Sequence, residues 1–266
     1  MKLLNPRINV DDFFKQLEKS KASLLIVDFD GTLAPFSINR MEVKIYPEVL
    51  PLIHQLIINP KVKVIIVSGR ALEDLKVLLP FYQEVEVWGS HGVEHKNFKV
   101  KTHEEFFKNP NTYEILENIK KMCCCEVPEY CEIKPYGVAL HWRGLNENEQ
   151  RSLKERFFPE WENIIRNSDL EIHFFNGGME VRPGGRNKGN AVLEIIKETS
   201  PDIPMAYLGD DSTDEQAFEA LGDRGLSVLV NNRPQDSHAD VQITPPHELR
   251  AFLNRWLNAF GGVDEH

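Results

Sequence analysis

The chain is 266 residues long and carries 41 acidic against 31 basic side chains, a formal net charge of −10. That balance argues against a general nucleic-acid binder, which needs a basic face for the phosphate backbone, but not against a small anionic substrate, which answers only to local charge. Hydrophobic residues at 41% and charged residues at 27% are ordinary for a folded protein, and a chain of this length buries roughly three quarters of its unfolded surface, so it needs no disulfide or structural metal. The N-terminal stretch has no apolar core of signal-peptide length, and no run approaches the ~18 apolar residues of a membrane span. A cytoplasmic protein without membrane association is expected. Cys123, Cys124, Cys125 and Cys131 lack the C-x-x-C spacing of a zinc site and are expected as free thiols.

Short apolar runs alternate with helical patterns over the first ninety residues. Leu24 to Val27 predicts a buried strand, Val49 to Ile58 a helix behind Pro47, Val62 to Val67 a second strand, Ala71 to Leu79 a second helix, and Val85 to Trp88 a third strand. Strands that are apolar on both faces and alternate with helices indicate a parallel sheet covered on both sides. The pattern changes near Asn97. Asn111 to Met122 predicts a helix, Cys131 to Lys134 and Val138 to Arg143 a pair of strands, and Asn146 to Arg166 a helix broken or kinked at Pro159. Leu170 to Phe175 and Met179 to Arg182 predict a hairpin through Asn176-Gly177-Gly178, residues that tolerate positive φ. From Asn187 the first pattern returns: helices at Lys188 to Thr199, Asp214 to Leu221 and His247 to Phe260, and strands at Pro204 to Leu208, Leu226 to Val230 and Asp240 to Ile243. The expected architecture is an α/β core with a Rossmann-like parallel sheet, made of residues 1–97 and 184–266. An α+β domain of order αββαββ is inserted at 98–183, with hinges near Phe98 and Pro183.

Four places carry chemistry. The first strand ends in Asp28-Phe29-Asp30-Gly31-Thr32, two carboxylates where α/β sheets place their ligands. An Asp-Gly turn alone is common, so this signal is weak by itself. The second strand ends in Ser68-Gly69-Arg70; a helix N-cap there is the ordinary reading, and a hydroxyl with backbone N–H groups aimed at an anion is the functional one. Lys188 opens the helix after the insertion, where a cation opposes the helix dipole unless an anion faces it. The fourth strand ends in Gly209-Asp210-Asp211-Ser212-Thr213-Asp214-Glu215. A capping box accounts for Ser212 and Glu215. Asp210, Asp211 and Asp214 remain, and so many carboxylates at one strand end suit a hard divalent cation such as Mg²⁺.

Taken together in this order, the four places resemble the four motifs of the haloacid dehalogenase superfamily of phosphohydrolases. The insertion is similar to that superfamily's C2B cap. Further stretches resemble the trehalose-6-phosphate phosphatase family: Asp28 to Pro35, Ser68-Gly69-Arg70, Gly89-Ser90-His91-Gly92, His141-Trp142-Arg143, Glu180-Val181-Arg182-Pro183, Lys188-Gly189 and Gly209 to Glu215. Phe29 stands where Tyr is commoner in that family, and Asn187 where Asp is usual.

The resemblance implies a Mg²⁺-dependent phosphatase that releases trehalose and phosphate from trehalose 6-phosphate. Asp28 would be the nucleophile and pass through an aspartyl-phosphate, Asp30 the general acid and base, and Lys188 a catalytic cation that also binds phosphate with Thr32, Ser68 and Gly69. Mg²⁺ would be held by Asp28, Asp30 through its main-chain carbonyl, and Asp210, with Asp211 and Asp214 supporting that shell. Arg70, His91, Glu132, Lys134, Arg143 and Glu180 would contact the substrate, the last four from the cap. On strands Glu132 and Lys134 share a face, as do His141 and Arg143; a solvated rim is the plain alternative, and His141 serves a structural role as readily. The partner would be a small sugar phosphate, with any trehalose-6-phosphate synthase on a separate chain. Other readings are a phosphatase for mannosyl- or glucosyl-3-phosphoglycerate or sucrose phosphate, a sugar phosphomutase, and a non-catalytic sugar-phosphate-binding domain.

Overall fold

A computed structural model of the protein describes residues 1–37, 39–96, 107–175, 177–233 and 235–261. The chain divides into two compact units, Met1–Asn97 with Asn187–His266, and Phe98–Arg186. Phe98, where one hinge is expected, and Asn176 of the expected hairpin turn lie outside the described residues.

In chain order the first unit begins with β1 (Lys2–Leu3), α1 (Val10–Lys19), β2 (Ser23–Val27), α2 (Leu50–Ile58), β3 (Val62–Val67), α3 (Leu72–Leu78), β4 (Glu86–Gly89) and β5 (Glu94–His95). The second unit follows with α4 (Thr112–Glu126), β6 (Cys131–Lys134), β7 (Gly137–His141), α5 (Glu147–Ile165), β8 (Leu170–Phe175) and β9 (Gly178–Pro183). The chain then completes the first unit with α6 (Lys188–Glu198), β10 (Met205–Gly209), α7 (Glu215–Leu221), β11 (Leu226–Val230), β12 (Val241–Ile243) and α8 (His247–Asn258).

The first unit is an eight-stranded sheet in the order β1-β12-β11-β10-β2-β3-β4-β5. The six inner strands pair in parallel and the two-residue strands β1 and β5 add antiparallel edges. Alternate side chains of the inner strands feed opposite faces, as a two-residue period requires. Leu25, Val27, Val64, Ile66 and Leu208 join the core made with Phe14 and Leu17 of α1, Ile53 and Leu56 of α2, and Phe252 and Trp256 of α8. Leu24, Ile26, Ile65, Val67 and Tyr207 join the core on the other side, with Val192 and Ile195 of α6 and Phe218 of α7. Each such side chain contributes about 1.5–3 kcal/mol by leaving water, which explains why the strands read as unbroken apolar runs. The central strand β2 has β3 on one side and β10 on the other. The strand order reverses there, so a crevice opens beyond the carboxyl ends of β2 and β10.

The second unit is an antiparallel sheet, β6-β7-β9-β8, with elements in the order αββαββ. Its helix α5 runs through Pro159 as one element, where a break is an equal expectation from sequence. Buried Phe157 and Trp161 flank the proline, and their packing holds the helix across the lost backbone bond. Strand β7 ends at His141, two residues earlier than expected, because Trp142 donates its backbone N–H to Gly177 outside the ladder. The four cysteines are free, Cys123 buried and Cys124 and Cys125 exposed. Among the described residues no helix is long and apolar enough to cross a membrane.

Candidate active site

The site in the first unit is built at the carboxyl ends of β2 and β10. Asp28 follows β2 directly and donates its backbone N–H to Leu208 of β10, 2.9 Å away. Its carboxylate is buried, and Asp28, Asp210 and Asp214 bring oxygen atoms within 4.8 Å of one another. Gly31 allows this approach. It has φ +80°, and a Cβ there would collide with the Asp210 carboxylate. In the same way, a Cβ on Gly189 would collide with the Gln216 carbonyl, so glycine lets the start of α6 close on α7.

Lys188, at that start, is 3% exposed; buried lysines need a countercharge, and this one has two. Its Nζ donates to Asp214 Oδ1 at 2.8 Å and lies 3.1 Å from Asp28 Oδ1. Burial acts to lower the Lys188 pKa, but Asp214, Asp28 and Asp211 more than offset it, and the ammonium is held charged. Burial raises the Asp28 pKa well above the usual range; Lys188 opposes the rise, and Asp214, Asp30 and Asp211 add to it. Asp210 is raised in the same direction by burial and then by Asp211, Asp28 and Asp214. One ammonium cannot balance three ionised carboxylates, so without a further cation the metal-free cluster holds protons that a divalent ion would displace.

The oxygens of Asp214 are already engaged. Oδ1 accepts from Lys188 and from the Tyr207 hydroxyl at 2.5 Å, and Oδ2 from the backbone N–H groups of Asp210 and Asp211. This corrects the capping-box reading of Ser212 and Glu215. The helix begins at Glu215 with Asp214 as N-cap, and the Asp214 side chain turns inward instead of capping. Asp211 closes its own turn, accepting from Thr213 N and Oγ1. Asp28, whose Oδ1 faces Lys188, and Asp210 supply the hard carboxylate oxygens suited to a divalent cation.

Asp30 lies outside the cluster and pairs with Arg70 through two bonds, Nε to Oδ2 at 2.6 Å and Nη2 to Oδ1 at 2.7 Å. Ser68 is buried after β3 and accepts from Arg70 N at 3.3 Å. It is not an N-cap, since α3 starts at Leu72 behind Ala71. His91 packs its ring on Gly69, where a Cβ would come within 2.6 Å of the imidazole, and its backbone N–H donates to the Ser68 carbonyl. Ser90 and His91 are the non-glycine residues with positive φ among those described, at 48° and 56°. Strain of this kind costs of order 1–3 kcal/mol per residue and gathers at functional sites. Thr32 Oγ1 is buried with no hydrogen-bond partner among the described residues.

In the second unit, cross-strand pairing puts Glu132 beside Ala139, Ala139 beside Glu180 and Glu180 beside His173. Lys134 and Arg182 fall on the same face by alternation. Lys134 Nζ reaches Glu180 Oε1 at 3.0 Å, from β6 over the intervening β7. Gly137 and Ala139 leave the room for it, since a Cβ on Gly137 would sit 3.2 Å from Glu180 Oε1. His141 Nε2 lies 2.7 Å from Glu132 Oε2. Glu132, Lys134, Glu180 and Arg182 are all at least nine-tenths buried. Arg143 stands past the end of β7, against Gly177, so it does not share a strand face with His141.

The family model described as trehalose-phosphatase matches residues 26–244. The chain belongs to the trehalose-phosphatase family. It is 29% identical over 252 residues to a bifunctional trehalose-6-phosphate synthase/phosphatase of Thermoproteus tenax, over 93% of this chain and 34% of that one. The chain thus spans about a third of that relative's length. It is 27% identical over 269 residues to trehalose-phosphate phosphatase B of Arabidopsis thaliana, covering 93% of this chain and 70% of the other. The solved C-terminal domain of the C. albicans trehalose-6-phosphate phosphatase has a TM-score of 0.77 at 22% identity, covering 99% and 100% of the two chains. At that identity the likeness concerns fold, and it bears out the expected α/β core with a parallel sheet.

Several residues of this trehalose-phosphatase family member escape sequence reading. Tyr207 reads as core because its neighbours are aliphatic, yet a buried phenol needs a partner, and that requirement points to Asp214. Asn231 donates to the Asp210 carbonyl at 3.0 Å from a loop beyond β11, without a local signal. Arg182 and His173 lie on the charged face of the second sheet, a position that alternation from Glu180 and its pairing partner makes legible.

Proposed function

We propose that the protein is a phosphatase that hydrolyses trehalose 6-phosphate to trehalose and inorganic phosphate. The observation that carries this reading is the buried system of Asp28, Lys188, Asp210 and Asp214 at the strand-order reversal, in a chain of the trehalose-phosphatase family. Asp28 attacks phosphorus through a carboxylate oxygen, the sugar oxygen leaves, and an aspartyl-phosphate forms. Asp30 gives a proton to the departing sugar oxygen and takes one from the water that cleaves the acyl phosphate. Lys188, fixed by Asp214, offsets charge on the phosphoryl oxygens. Ser68, Gly69 N–H and the unspent Thr32 hydroxyl bind the same oxygens. Mg²⁺ would be held by Asp28, Asp210 and the Asp30 carbonyl, supported by Asp211 and Asp214, and would supply positive charge beside the transferring group.

The inserted residues at about 98–183 are the cap that selects the sugar in this reading. Glu132, Lys134, Glu180 and Arg143 offer acceptors and donors to the disaccharide hydroxyls. In support of this reading, the buried Lys134–Glu180 ion pair and the Glu132–His141 contact hold four of the face's groups in place, which would lower the cost of ordering them on binding. The test is phosphate release across trehalose 6-phosphate, sucrose 6-phosphate, glucosyl- and mannosyl-3-phosphoglycerate and glucose 6-phosphate, with and without Mg²⁺. Preference for trehalose 6-phosphate, with trehalose as the organic product, supports the reading. Preference for another ester changes the substrate, and no release from any of them removes the activity.

A further inference from the structure

Arg70 is held on every side the structure shows. Its Nε and Nη2 donate to the two oxygens of Asp30, and Nη1 donates to the Arg40 carbonyl at 2.6 Å. Its guanidinium carbon lies 5.6 Å from the centre of the Phe29 ring, and Arg40 is itself 3.4 Å from Asp74. The backbone is pinned as well: Arg70 N donates to Ser68 Oγ, and its carbonyl accepts from Ser90 N at 2.7 Å. Three of its five guanidinium N–H groups are spent on protein oxygens, two of them on Asp30 alone. What the arrangement does fix is the carboxylate of Asp30, which otherwise sits on a loop after β2 with a quarter of its side chain exposed.

We propose that Arg70 is a positioning residue for Asp30, and that it serves the reaction through that carboxylate and not through contact with the sugar. This rests on the reading of Asp30 as the acid and base of the phosphatase. A forked guanidinium sets both the place and the plane of a carboxylate, and an ammonium is a point charge that sets neither. Arg70→Lys keeps the charge and loses the geometry. An Asp30 free to rotate about χ1 and χ2 spends less of its time aimed at the leaving oxygen, so turnover falls without a change in how substrate is held.

The test is a double-mutant cycle on the Mg²⁺-loaded full chain, using Arg70→Lys, Asp30→Asn and the double variant, with kcat and KM measured separately on trehalose 6-phosphate. Arg70→Lys is expected to lower kcat by about tenfold or more with KM within about twofold, the pattern of an interaction that counts only in the transition state. In the Asp30→Asn background the same substitution should cost less than about threefold, since coupled residues are non-additive. Solvent exchange of the Arg70 Nε proton, followed by NMR, needs no variant at Arg70. It is expected to be slow in the wild type and faster in Asp30→Asn. An equal loss in both backgrounds, a raised KM with kcat retained, or equal exchange rates would each overturn the inference while leaving the phosphatase reading intact. A wild type that releases no phosphate from any monoester removes that reading and this inference with it.

Discussion

The hydroxyl of Tyr207 donates to Asp214, the residue that holds Lys188. The cation of the site is thus braced from two directions, by a tyrosine from inside a core strand and by the backbone N–H groups of Asp210 and Asp211. Tyr207→Phe removes one of these supports and no contact to a phosphate. A typical hydrogen bond to a charged group contributes about 1.5–3 kcal/mol, so the variant should lose stability in that range. Its kcat should drop several-fold as Lys188 loses its fixed place. Thermal unfolding and steady-state kinetics check this; unchanged values in both would remove Tyr207 from the support of the site.

Asp28→Asn should abolish turnover, by a factor of about a thousand or more if nucleophilic attack supplies most of the lowered barrier. Stability should move the other way. The Asp28 pKa is raised by burial and neighbouring carboxylates, so its ionised form is unfavourable in the metal-free fold, and an uncharged amide relieves it. The expected result in chelator is an inactive protein with an unchanged or higher Tm. A markedly lower Tm would mean that the Lys188 pairing outweighs the burial.

The metal-free protein should lose stability as pH rises from the ordinary carboxylate range. Asp28 and Asp210 have raised folded pKa values, so the folded state keeps protons that the unfolded state has released, and stability declines up to the folded values. Mg²⁺ bound by the folded state stabilises by mass action, and it competes with those protons. The rise in Tm on adding Mg²⁺ should therefore be larger at pH 8 than at pH 5. Asp210→Ala should shrink that rise and cut phosphatase activity; a full Mg²⁺ response in Asp210→Ala would contradict its place as a ligand.

Gly31→Ala tests the approach of the first loop to Asp210. The position has φ +80° and no room for a Cβ beside that carboxylate. Strain of this type costs of order 1–3 kcal/mol, and its relief must move Asp210 or the Asp28–Asp30 loop. The expected outcome is a weaker apparent Mg²⁺ affinity together with reduced kcat, read from Mg²⁺ titrations of activity.

Glu180→Ala and Glu132→Ala test whether these two carboxylates select the sugar. Each loses a charge-assisted hydrogen bond, about 1.5–3 kcal/mol, so the ratio of kcat/KM on trehalose 6-phosphate to that on p-nitrophenyl phosphate should fall about tenfold or more. An unchanged ratio with lower Tm would show that Lys134–Glu180 and Glu132–His141 hold the sheet together instead.

From Leu24 onward most elements and all four motif positions were legible in the sequence, because local patterns are one-dimensional, whereas α1, β1 and β5 were not among the expected elements. A strand buried on both faces, such as β3 or β11, reads as an unbroken apolar run, and residues after a strand end are found by counting. Helix α1 went unread although Phe14 and Leu17 have helical apolar spacing behind Asn9, which the structure shows to be its N-cap. Two-residue strands such as β1 and β5 carry too few residues for any period. Which charges meet is settled by the fold. Asp28 and Asp30 are two residues apart and part company, one to Lys188, 160 positions on, the other to Arg70. Lys134 finds Glu180 because two small residues stand between them on the middle strand. Pairings of this kind depend on through-space distance and on the energy of leaving a buried charge alone. Neither is written in the spacing of residues along a chain.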